Sequence, residues 1–137
     1  MQILIFRLKD YHFGILTEDV SEIMKKNDFK SIPNSPEWVE GLINLRGEVI
    51  TLVNMYSLLK IDDFNLEECY NNTVIVNLEE NSIALMVDEI IGVTDIQEDD
   101  LQSASENDNS YVGSLITIDD LVITVLELKS LFEETEG

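Results

Sequence analysis

The chain is written twice. Phe13-Gly14-Ile15-Leu16-Thr17-Glu18-Asp19-Val20 aligns without a gap on Ile83-Ala84-Leu85-Met86-Val87-Asp88-Glu89-Ile90, an offset of 70 residues. The flank continues it, with Phe6-Arg7-Leu8 falling on Val76-Asn77-Leu78. Further on, Val49-Ile50-Thr51-Leu52-Val53 aligns on Val122-Ile123-Thr124-Val125-Leu126 at an offset of 73, and Ser57-Leu58-Leu59 then meets Ser130-Leu131-Phe132. Two matches in the same order, drifting by only three residues, mark a duplicated unit. Chance likeness between apolar strands would not keep an acidic pair and a serine in register.

Each copy has the same coarse anatomy. A strand (Ile3 to Leu8; Val74 to Leu78) is followed by a polar turn and a second strand (Phe13 to Leu16; Ile83 to Val87). These runs are short and rich in Ile, Val, Leu and Phe, as half-buried strands are. A third strand, Val20 to Met24 or Ile90 to Ile96, follows the acidic pair. A hairpin comes next, Leu42 to Leu45 and Val49 to Val53 around Arg46-Gly47-Glu48, or Ile116 to Ile118 and Leu121 to Leu126 around Asp119-Asp120. Met55, Leu58 and Leu59, and again Leu128, Leu131 and Phe132, are spaced i, i+3, i+4, so a short helix closes each copy. Asn54 is placed to cap the first of these helices. The expectation is a mostly-β protein of two five-stranded barrels, one from residues 1–70 and one from 71–137, with a short linking helix and a C-terminal helix. The stretch from Glu98 to Ser110 is nearly devoid of apolar side chains and reads as a solvated loop.

The charge balance excludes some partners. With 28 acids against 8 bases the net charge is -20, which repels phosphate backbones and anionic lipid alike. Lys25, Lys26 and Lys30 are the one local concentration of bases, too small for a nucleic-acid footprint. No nucleic acid and no direct membrane contact are expected. A single cysteine, Cys69, cannot close an internal disulfide, no run approaches a membrane span of about 20 residues, and a cytoplasmic location is expected.

A catalytic constellation is missing from the residues. The one histidine, His12, reads as part of the Lys9-Asp10-Tyr11-His12 turn and has no ligand partner at fixed spacing. Cys69 reads as part of a polar linker. Glu98-Asp99-Asp100 lacks the glycine and alternating ligands of a calcium loop, and Asp119-Asp120 fits a hairpin turn. A Gly-rich phosphate loop is absent. Neither catalysis nor a metal or other cofactor is expected.

Among so few bases, Arg46 stands out at the tip of a hairpin whose arms are almost wholly apolar. Gly47 supplies a positive φ there, and the turn presents a forked cation suited to a protein partner. Around it, Ile32-Pro33-Asn34-Ser35-Pro36-Glu37-Trp38-Val39-Glu40-Gly41-Leu42-Ile43-Asn44-Leu45-Arg46-Gly47-Glu48-Val49-Ile50 resembles the CheW family: a proline segment, an aromatic, then Gly-Val-Ile-Asn-Leu-Arg-Gly and a β-run. Val20-Ser21-Glu22-Ile23 is similar to that family's Val-x-Glu-Val element, and Val87-Asp88-Glu89-Ile90-Ile91-Gly92-Val93 to its Val-Asp-x-Val-x-x-Val. The likeness runs from about Ile3 to Phe132.

The resemblance implies two SH3-like barrels and a non-catalytic adaptor of the stand-alone type, coupling chemoreceptor cytoplasmic tips to the regulatory domain of the histidine kinase CheA. A scaffold in another signalling pathway, or a cap on receptor arrays, is the alternative it leaves open. By position, the resemblance places receptor contact at Val20, Gly41 and Arg46 and kinase contact at Thr17, Glu18 and Val20. One departure is local. The family continues Pro-Val-Ile-Asp-Leu-Arg after the hairpin, where this chain has Thr51-Leu52-Val53-Asn54-Met55-Tyr56.

Overall fold

The computed structural model describes residues 1–62, 65–103 and 112–136. In chain order these form β1 (Gln2–Leu8), β2 (Tyr11–Leu16), β3 (Val20–Lys25), β4 (Val39–Leu45), β5 (Glu48–Val53), α1 (Met55–Leu58), α2 (Leu66–Cys69), β6 (Asn72–Leu78), β7 (Asn81–Val87), β8 (Glu89–Asp95), β9 (Gln102–Ser103), β10 (Val112–Ile118), β11 (Leu121–Leu126) and α3 (Leu128–Glu136). Single 3-10 turns occupy Thr17–Asp19 and Glu98–Asp100.

The strands make two sheets, β8-β1-β2-β11-β10-β9 and β3-β6-β7-β5-β4. Apart from the two-residue β9, they correspond strand for strand. β8 answers β3, β1 answers β6, β2 answers β7, β11 answers β5, and β10 answers β4. The registers agree residue by residue. Thr124 sits opposite Phe13 as Thr51 sits opposite Ile83, and both pairings are parallel. Ile116 faces Ile123 as Ile43 faces Ile50, and the break in register at Val112/Ser114 recurs at Val39/Gly41. The duplication is therefore present in the hydrogen bonding, and the architecture is a pair of SH3-like subdomains.

The division of the chain differs from the expected contiguous halves. One compact unit is Met1–Glu18 with Ile90–Gly137, and the other is Asp19–Glu89. The boundary expected near residue 70 thus falls inside the second unit. The copies have exchanged their first hairpins, so β1–β2 pairs with the β11 of the other copy and β6–β7 with β5. The physical reason is that a repeat specifies which strands are equivalent, not which copy supplies the partner. Strands β5 and β11 carry the same order of exposed and buried side chains, so either one could satisfy β2.

Each unit carries its own core. In the continuous unit Ile43, Ile50, Leu52, Tyr70, Ile75, Ala84 and Met86 cluster, with Met24, Phe29, Leu45 and Leu66 packed against them. In the discontinuous unit the cluster is Ile3, Ile5, Ile96, Ile116, Ile123 and Val125, flanked by Leu16, Leu101 and Ile118. Each fully buried Ile, Leu, Met or Phe contributes about 1.5–3 kcal/mol relative to exposure.

Three local expectations change. His12 is not in a turn: it lies half-buried in β2, opposite Arg7 on one side and Ile123 on the other. Cys69 ends α2 instead of lying in a linker, because Asn65 Oδ1 accepts from the Glu67 amide and starts a helical turn there. Of the expected loop, Glu98–Asp100 is a 3-10 turn and Gln102 begins β9, while residues 104–110 lie outside the described residues. Asn54 caps α1 as expected, its Oδ1 accepting from the Ser57 amide at 3.1 Å.

Candidate docking site at the Arg46 hairpin

The β4–β5 hairpin turns on two residues. Arg46 has φ 51° and Gly47 has φ 86°, so both central positions are left-handed, as the tight turn that matches strand twist requires. Glycine takes this conformation freely, whereas a residue with a Cβ pays for it, about 1–2 kcal/mol. Asn44 offsets part of that cost, its Oδ1 accepting from the Gly47 amide at 3.0 Å. In the other unit the same turn is made by Asp119 and Asp120, at φ 50° and 69°.

The Arg46 side chain does not float free. Its Nη2 donates to Glu22 Oε2 at 2.6 Å and its Nη1 to Glu22 Oε1 at 3.3 Å, a two-point fork. The side chains remain 71% and 31% exposed. An exposed pair of this kind adds little stability. Its effect is orientation, and the guanidinium keeps further N–H donors for a partner. Hydrogen bonding to Arg46 holds the Glu22 carboxyl below its ordinary range, and the same bond pushes the Arg46 guanidinium up. Farther along β4, burial pushes the Glu40 carboxyl up.

The residues expected at the two contact sites fall in different settings. Gly41 lies on β4, the strand that leads into Arg46's turn, but is buried, and a Cβ there would lie 2.3 Å from the Lys30 carbonyl oxygen and 2.9 Å from Phe29 Cδ2. Gly41 is thus required by a close approach of backbone to backbone. Val20 opens β3, two residues before Glu22, and is half-buried opposite Val76. Thr17 and Glu18 lie in the 3-10 turn between β2 and β3, and the Thr17 hydroxyl donates to Gln2 Oε1 at 3.0 Å. Arg46 and Gly41 are therefore on one hairpin, and Val20 is on the strand that supplies Arg46's partner.

Glu22 was missed as a site residue. The repeat held a signal for it: at the equivalent positions of the other copy, Glu22 becomes Gly92 and Arg46 becomes Asp119. Both members of the ion pair diverge together, while the apolar positions around them are kept. Exposed apolar side chains do recur between the copies, Val49 at 63% matching Val122 at 59% and Ile23 at 44% matching Val93 at 51%.

Among the described residues no cluster of three or more His, Cys, Asp or Glu is placed to hold a metal, and no helix is long and apolar enough to cross a membrane. A family model described as a CheW-like domain matches residues 2–136. The chain belongs to the CheW-like family. The chemotaxis protein CheW of Treponema pallidum is 29% identical, covering 98% of this chain and 84% of its own. That of Thermotoga maritima is 27% identical over 97% of this chain and 88% of its own. The crystal structure of the scaffolding protein TtCheW from Thermoanaerobacter tengcongensis superimposes with a TM-score of 0.86, at 28% identity, covering 96% of this chain and 92% of that one. This is a CheW-type scaffold of chemotaxis signalling, and CheW-type chains are non-catalytic adaptors.

Proposed function

We propose that this CheW-like chain couples the cytoplasmic tip of a chemoreceptor to the regulatory domain of a CheA-type histidine kinase, acting in the cytoplasm. Receptor contact centres on Arg46, with Val20 beside it and Gly41 fixing the strand. Kinase contact lies at Thr17, Glu18 and Val20. The observation that carries the reading is the forked Arg46–Glu22 pair, which aims an exposed guanidinium from a rigid two-residue turn. A preoriented cation loses less freedom on binding than a free one, so more of its interaction appears as affinity.

The test is Arg46→Glu, titrated separately with a receptor tip fragment and a kinase regulatory domain. Receptor affinity should fall about thirtyfold, or about 2 kcal/mol, as an interface arginine is lost and a like charge introduced. Kinase affinity should change by less than about threefold, since a charge outside an interface acts on it only at long range. An unchanged receptor affinity would remove the reading.

A further inference from the structure

A cleft on the discontinuous unit points to a further partner. It opens between the C-terminal ends of β8 and β10, has a volume of about 350 Å³, and is lined in part by Asp95, Ile96, Asp100, Ile116, Thr117 and Ile118. Ile96 and Ile116 are 4% and 5% exposed and belong to the core cluster of that unit, so the floor is the rim of the core. One wall is an edge strand. β9 is two residues long and pairs with β10 at Ser114 and Leu115, and among the described residues no bridge continues beyond Leu115 on that side. Ile118 closes the hairpin opposite Leu121, so its amide and carbonyl turn toward β11 and those of Thr117 turn to the open edge. An unpaired edge presents these groups to any chain laid along it.

The charge at the cleft has one sign. Asp95 and Asp100 line it and are exposed, and among the described residues no base lines it. Asp100 Oδ2 accepts from the Gln97 amide at 3.0 Å, which fixes that carboxylate in place. Glu98 and Asp99 share the 3-10 turn with Asp100, and Asp119 and Asp120 follow Ile118 directly. From Ile61 to Leu128 the sequence holds no Lys, Arg or His and carries more than half of the chain's 28 acids. An opposing charge comes with the chain entering β1, where the Met1 amino group donates to the Ile96 carbonyl at 3.0 Å. Arg7 and Lys9 lie at the far end of that strand, about 20 Å on at the usual rise per residue.

We infer that this cleft takes an extended basic segment of a partner protein. Its backbone pairs with the β10 edge at Thr117, continuing the line of β9. One apolar side chain lies over Ile96 and Ile116, and Lys or Arg side chains face Asp95 and Asp100. Backbone pairing supplies affinity in this mode, and the side-chain contacts supply selectivity. None of Thr17, Glu18, Val20, Gly41 and Arg46 lines the cleft, so the inference stands apart from the coupling reading.

The probe is a labelled eight-residue peptide of alternating Lys and Val, compared with a counterpart carrying Gln for Lys. Salt at about 0.15 M screens exposed charges beyond about 8 Å. Fluorescence anisotropy gives affinity, and backbone amide shifts of the whole chain locate the contact. The basic peptide should bind at least about tenfold more tightly than the Gln counterpart. Asp95→Asn combined with Asp100→Asn should weaken it by about tenfold or more with melting temperature unchanged, because an Asn oxygen still accepts from the Gln97 amide. Glu67→Gln combined with Glu68→Gln removes the same charge from the exposed surface of the other unit and should alter it by less than about twofold. Shifts should map to residues 94–102 and 115–118. Equal losses from the two double variants would reduce the binding to the general pull of a chain of net charge -20 and overturn the proposal. Equal binding of the Gln counterpart, or shifts elsewhere, would do the same. So would saturating shifts of the same amides with calcium chloride alone, since a cation would then be the occupant.

Discussion

At Arg46 the backbone and the side chain can be separated by experiment, because the strain comes from its Cβ and the proposed receptor contact from its guanidinium. Its φ of 51° means that Arg46→Gly removes the left-handed penalty, offset by the greater freedom of glycine in the unfolded chain. Thermal melting should therefore be unchanged or a few degrees higher, with receptor affinity lost as in Arg46→Glu. A destabilised Arg46→Gly would show that the side chain holds the turn, contrary to its exposure. The pair with Glu22 also sets a pH dependence. Glu22 has a folded-state pKa below its ordinary value of 4.5, so its contribution is present above that value and lost as pH falls through the lower one. The Arg46 side-chain N–H resonances should hold steady from pH 8 to 6 and broaden only in the acid range below Glu22's ordinary value; broadening near neutrality would contradict the pair. Gly41 behaves in the opposite way. A methyl group 2.3 Å from the Lys30 carbonyl forces backbone apart, so Gly41→Ala should cost about 1–3 kcal/mol. Hydrogen exchange at the Leu42 and Lys30 amides should accelerate with it, and any loss of receptor binding then reports a displaced strand.

Elements show how far local pattern carries. The ten longer strands were legible because short runs rich in Ile, Val, Leu and Phe between polar turns leave little choice of conformation. The hairpin tip was legible in Gly47, which takes a positive φ freely between two apolar runs, whereas nothing in the sequence marked Arg46 for its φ of 51°. α2 was not, because Leu66-Glu67-Glu68-Cys69 is a single turn whose only mark is the Asn65 cap. β9 was not, because two residues contain no period. His12 was misplaced because the polar run Lys9-Asp10-Tyr11-His12 hides a turn only two residues long, after which β2 begins at Tyr11. Of the candidate site, Arg46 and Gly41 were legible, and Glu22 was visible only as a divergence between copies. The cap on α1 gives a prediction at this scale. Asn54 is 3% exposed and bonds the Ser57 amide, while Met55, Tyr56 and Leu58 behind it are buried. Asn54→Ala should cost about 1 kcal/mol, with Asn54→Asp or Asn54→Ser recovering most of it. Equal melting of all three variants would mean that packing alone sets the helix.

The exchange of hairpins decides how the whole molecule can be divided. A cut at residue 70 gives a first fragment with β1 to β5, in which β3 has lost β6, and β5 has lost β7. The second fragment, residues 71–137, keeps β6 to β11 but has lost β1 and β2 from the middle of one sheet and β5 from the edge of β7 in the other. Neither fragment can complete a sheet, and each exposes strand edges together with apolar faces that the intact units bury. Residues 1–70 alone and 71–137 alone should therefore lack a cooperative thermal transition. Their equimolar mixture should regain one, because together they supply every strand of both orders. Complementation of this kind is slow relative to folding of the intact chain, since it joins two molecules and depends on concentration. Far-UV circular dichroism of each fragment and of the mixture reads the outcome. A fragment 1–70 that melts cooperatively by itself would mean that its hairpins pair within their own copy, and the exchanged topology would be wrong. Recovery only on mixing, with the amide pattern of the intact chain, would show that the two copies of the repeat fold as one interlocked unit.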